Sequence, residues 1–66
     1  MNYQLLSPKS LVALHQGIHR ALTADDAQPP HLREYGVRLF RHWTVHSHAI
    51  EAALAAKGVV FIPTGL

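Results

Sequence analysis

YGVRLFRHWTVHSHAIEAALAAKGVVFIP, residues 35–63, divides into a short apolar segment, a helix-forming segment, a glycine and a second apolar segment, and its reading decides the fold. In the first part Tyr35, Val37 and Leu39 alternate with Gly36, Arg38 and Phe40, so residues 34–40 are predicted to be a strand with one face partly covered. A helix is then predicted to begin between residues 41 and 44 and to end at Lys57, with Trp43, Ile50 and Leu54 as its central stripe and His46, Ser47 and Ala53 beside them. Its run of alanines favours the helix and lets another element approach closely. Gly58 is placed to reverse the chain in a left-handed conformation. After it, Val59, Val60, Phe61 and Ile62 form a continuous β-branched and aromatic run, as in a strand covered on both faces, until Pro63 ends it.

Upstream, Ser7 followed by Pro8 is a helix start: the serine oxygen accepts an unpaired amide and proline occupies the position where no donor is needed. Leu11, Leu14, Ile18 and Leu22 recur at helical spacing, with Gly17 in the middle, where it either marks a close approach or is simply tolerated. Asp25, Asp26, Pro29 and Pro30 predict that this helix stops near Thr23 and gives way to a loop, with a short helical turn over residues 31–34. The two aspartates and Glu34 are expected in solvated turns.

The expected fold is therefore a small α+β domain ordered helix, strand, helix, strand, spanning residues 1–66 with loose tails at 1–6 and 64–66. A connection containing a whole helix makes the two strands parallel with a right-handed crossover. A two-stranded parallel sheet buries too little alone, so its completion by a homodimer is expected, through Leu11, Ile18, Val60, Phe61 and Ile62. The alternative is an all-α chain with residues 59–62 as an extended arm. Residues 37–63 also resemble, in outline, the opening strand, helix and strand of glutaredoxin-like domains. Their C-x-x-C falls here near Thr44 and Ser47, so the resemblance supplies no thiol chemistry.

With 66 residues, a hydrophobic fraction of 48% and a charged fraction of 15%, the chain is ordered rather than disordered but near the lower size limit for a self-sufficient core. It has no cysteine, which excludes disulfides and thiolate metal sites and leaves histidine to carry any transition-metal site. No stretch is long and apolar enough for a membrane span and Met1–Leu6 lacks a signal-peptide pattern, so a cytoplasmic protein is expected. A net charge of +2 argues for solubility more than for a polyanionic partner.

Six histidines are the compositional oddity. His15 and His19 lie four apart in the first helix, and His42 and His46 lie four apart in the second, each pair on one helical face. Brought together, the two pairs would offer four nitrogens to a tetrahedral zinc ion. The glutamate of a metalloprotease HExxH is missing, since Gln16 and Trp43 follow the first histidine of each pair. Arg33, Arg38 and Arg41, interleaved with Tyr35, Phe40 and Trp43, are the ingredients of a weak nucleic-acid surface, without a motif to support it. No nucleophile elbow, phosphate loop or dinucleotide fingerprint is present, so a non-enzymatic interaction or structural module is expected, with zinc binding as the alternative and nucleic-acid binding third.

Overall fold

The computed structural model describes residues 2–66. Two helices, α1 (Pro8–Asp26) and α2 (Arg41–Ala56), carry the fold, with single 3-10 turns at Tyr3–Leu5 and Pro30–Leu32 and no strand among the described residues. The chain is therefore all-α, and the α+β expectation with its parallel two-stranded sheet is overturned. The alternative, an all-α chain with an extended arm, describes it.

α1 starts as its sequence dictates. The Ser7 Oγ accepts the Ser10 amide at 3.2 Å and Pro8 occupies the first turn. The helix runs one turn past Thr23, because Asp25 is not in solvent but is used inside the protein. Its buried stripe is Leu11, His15, Ile18, Leu22 and Asp25, alternating steps of four and three; His15 takes the place expected of Leu14, which is 41% exposed. Gly17 meets no neighbouring atom within 4 Å of where a Cβ would stand, so it marks no close approach. Gly17→Ala is expected to raise stability by about 0.5–1 kcal/mol through backbone entropy alone, read as a higher midpoint in urea at unchanged slope.

α2 buries Ser47, Ile50, Ala53 and Leu54 and packs along α1. Leu11, Ile18, Ile50, Ala53 and Leu54 form the main core, flanked by Tyr3, Leu6, Trp43, Val59, Phe61 and Leu66; a second cluster joins Ala21, Leu22 and Val37. Gly58 ends α2 as expected, with φ +72°. The Val59 amide donates to the Leu54 carbonyl at 3.0 Å and the Gly58 amide to that of Ala55 at 3.1 Å, the paired bonds of a Schellman stop.

Residues 34–40 are not a strand. Gly36 takes φ +64°, the Leu39 and Phe40 amides both return to the Gly36 carbonyl, and the segment closes into a turn. Of the three residues expected on its inner face only Val37 is buried, while Leu39 is exposed. Nor is the apolar run after Gly58 covered on both faces. It is extended and unpaired, with Val59 and Phe61 against the helices and Val60 and Ile62 outward, 97% and 79% exposed. The glutaredoxin-like outline fails at both of its strands.

Candidate functional site

Five polar side chains, His15, His19, Ser47, His48 and Glu51, fasten the extended segment after Gly58 across the two helices. His15, only 5% exposed in the centre of the α1 stripe, donates from Nε2 to the Glu51 Oε2 of α2 at 2.8 Å. The same Glu51 oxygen accepts the Thr64 amide at 2.9 Å. One turn earlier on α2 the buried Ser47 Oγ lies 2.5 Å from the Thr64 Oγ1. His19 Nε2 donates to the Ile62 carbonyl at 2.6 Å and His48 Nε2 to the Leu66 carbonyl at 2.8 Å. A carbonyl only accepts, so these two imidazoles must carry their proton on Nε2. Residues 64–66, expected as a loose tail, are thus anchored, and Thr64 is buried. The turn at Tyr3–Leu5 is likewise applied to α2, where the Tyr3 hydroxyl pairs with His46 Nδ1 at 2.5 Å; Met1 lies outside the described residues.

Burial works to raise the Glu51 pKa. The His15 hydrogen bond, the Thr64 amide and the positive potential of His15 and His48 outweigh it and hold the carboxyl below its ordinary 4.5. The carboxylate is therefore ionised, as its role as a double acceptor requires.

A second carboxylate organises the loop between the helices. Asp25 accepts the Tyr35 amide on one oxygen at 3.1 Å and the Val37 amide on the other at 2.9 Å. Its own carbonyl receives Arg33 Nε at 2.9 Å. Burial raises its pKa, but the amides of Val37, Tyr35 and Gly36 and the charge of Arg33 together bring it below the ordinary 3.8. Asp26, in the outer position, makes an exposed two-point pair with Arg38, both bonds 2.9 Å. Of the carboxylates expected in solvated turns, then, Asp25 is an internal fastener.

The sequence-predicted residues fall as follows. His15 and His19 touch edge to face, ring centres 4.7 Å apart, on a cleft between α1 and the extended segment. His42 and His46, 6.3 Å apart, line a smaller slot with Tyr3 and Trp43. The two pairs are not brought together, and no group of three or more potential metal ligands forms among the described residues. Of the arginines, Arg33 is spent on the carbonyls of Asp25 and Gln28 and Arg38 on Asp26. Trp43 is partly buried, its indole donating to the Tyr35 carbonyl at 3.2 Å. Tyr35 packs edge-on to Trp43 and Phe40 stacks on His42, which leaves Arg41 exposed and without a hydrogen-bond or ion-pair partner among the described residues. Of the five interface residues, Leu11 and Ile18 are interior to the chain and Phe61 packs against the His15 ring; only Val60 and Ile62 face outward.

Sequence reasoning missed Glu51, Ser47 and Thr64 as partners. The available signal was polar residues at positions 47 and 51, the inner side of a helix whose apolar stripe passes through 43, 50 and 54. Comparison with known proteins finds no matching family model, no matching curated protein and no matching solved structure. No helix of the described residues is long and apolar enough to cross a membrane.

Proposed function

We propose that this protein is a non-enzymatic interaction module of the cytoplasm that self-associates through the outward face of its extended segment, Val60 and Ile62. The observation that carries this is the combination of exposure and rigidity. Two β-branched side chains stand in water on a segment that Glu51, Ser47, His19 and His48 hold in place on both sides. No described group accepts the amides of Val60, Phe61 or Ile62, so these main-chain donors are left for a partner. A segment already ordered loses little conformational freedom on binding. The chain also exposes 4568 Å², where a compact monomer of its mass exposes about 4,200 Å².

A second copy is the occupant that self-complementarity favours, since the same two residues serve both sides of a two-fold contact. Burying four such side chains contributes about 6–12 kcal/mol, of which about 8 kcal/mol is needed for a dimer that forms at millimolar concentration. Lost rotational and translational freedom opposes it by at least about 4 kcal/mol. The balance predicts a weak, concentration-dependent dimer.

Sedimentation over a range of concentrations tests this. The wild type should pass from monomer toward dimer, and Val60→Asp with Ile62→Asp should remain monomeric with an unchanged helical circular dichroism spectrum. A wild-type chain that stays monomeric at millimolar concentration, or a double variant that still dimerises, would remove the proposal.

A further inference from the structure

The cleft between α1 and the extended segment has a volume of about 610 Å³, within the range of small-molecule sites. Its apolar lining is Val12 and the buried Leu54 from the helices, with Phe61 and the exposed Val60 and Ile62 from the segment. The His15 ring, which stands edge-on to both His19 and Phe61, closes one side. At its rim is Arg20, exposed and without a hydrogen-bond or ion-pair partner among the described residues. Gln16, one turn back on the same helix, adds a neutral donor and acceptor.

The charge around this rim is one-sided. The lining contains no carboxylate, and the acidic side chain nearest in the hydrogen-bond network, Glu51, is taken up by His15 and Thr64 on the inner side. An apolar trough with one free guanidinium at its mouth complements a molecule with an apolar body and a single anionic end. We infer that the cleft binds small amphiphilic monocarboxylates, the carboxylate paired with Arg20 and the hydrocarbon body lying over Val12, Leu54 and Phe61.

Val60 and Ile62 line this cleft as well as forming the proposed dimer contact, so binding is measured at concentrations where the chain is monomeric, and Val12 and Arg20, which lie outside that contact, carry the tests. Octanoate is a suitable probe, followed by amide chemical shifts and calorimetry on the full chain, with light scattering on the same samples to show that the assembly state is unchanged. Octanoate should bind with a Kd of about 1 mM or tighter, and shifts should concentrate at residues 12–20 and 59–62. Arg20→Gln should weaken it about tenfold. Val12→Trp, which fills the trough from an existing wall, should abolish it while the far-ultraviolet spectrum is retained. Octanol of the same chain length should bind more weakly than octanoate. Absence of shifts, equal affinity of octanol and octanoate, shifts centred on the Tyr3 and His42 slot instead, or full binding by Arg20→Gln would each overturn the assignment.

Discussion

Replacing Glu51 by alanine should cost about 2–4 kcal/mol, a large part of the roughly 3–10 kcal/mol expected for a 66-residue chain. One carboxylate oxygen holds two elements at once: the His15 ring in the middle of α1 and the Thr64 amide of the extended segment. Its removal leaves a buried imidazole N–H and a buried amide without acceptors, and unmade hydrogen bonds of buried donors cost more than made ones contribute. Glu51→Gln should be milder. An amide oxygen in the place of that carboxylate oxygen has two lone pairs and still accepts both donors, but the attraction between a carboxylate and the histidines is lost. The same residue sets an acid limit. Because its folded pKa lies below its ordinary 4.5, Glu51 contributes stability that is fully present above the unfolded value and is lost as pH falls through the folded one. Wild-type stability should therefore drop below about pH 4.5, and the Glu51→Gln variant should show a shallower fall over the same interval. Urea unfolding followed by circular dichroism at a series of pH values measures both effects; equal stability of wild type and Glu51→Ala at pH 7 would show that the clasp does not hold the fold.

What could be read from the sequence was local chemistry. Ser7 with Pro8, and Lys57 with Gly58, set helix ends through groups within a few residues of one another, and those ends form as expected. The two apolar segments were a different problem. Residues 59–62 have strand composition and an extended backbone, but composition does not provide a neighbouring strand. Helix side chains hold the Ile62 carbonyl and the Thr64 amide that follows, while the amides of residues 60–62 have no acceptor among the described residues. Residues 34–40 have the alternation of a strand, yet the Asp25 carboxylate, ten and twelve positions earlier, takes the Tyr35 and Val37 amides and Gly36 turns the chain between them. That competition depends on where α1 ends in space, which periodicity does not report. The same limit applies to the histidines. Their four-residue spacing correctly placed each pair on one helical face, whereas their partners, the Ile62 and Leu66 carbonyls, Glu51 and Tyr3, come from segments 18 to 43 positions away or otherwise remote in sequence. Of the four imidazoles that suggested a metal shell, His19 and His46 pair with the terminal segments, His15 pairs with Glu51 of α2, and His42 has no hydrogen-bond partner among the described residues.

Asp25→Ala should undo the loop between the helices and lower the melting temperature by roughly 10 °C. The side chain is 2% exposed and accepts two amides, one on each oxygen, so alanine leaves both donors unpaired beneath Val37, itself a core residue. Asp25→Asn is the sharper test of mechanism. An asparagine has the same shape, but one of its two terminal atoms is an NH2, which would confront an amide N–H with another donor. It should therefore be nearly as damaging as alanine. Asp26→Asn, next to it in sequence but on an exposed pair with Arg38, should change stability little, since solvent screens such pairs. The pH dependence has the same sign as for Glu51: with its pKa held below 3.8, Asp25 stabilises the fold above its unfolded pKa, and that contribution disappears as acidity passes through the folded value. Amide exchange supplies a local readout beside thermal unfolding. The Tyr35 and Val37 amides should lose protection in Asp25→Asn while the interior of α1 keeps it, because the loop opens before the helices separate. Retained protection at both amides would mean that Gly36 and the packing of Val37 hold the turn without the carboxylate.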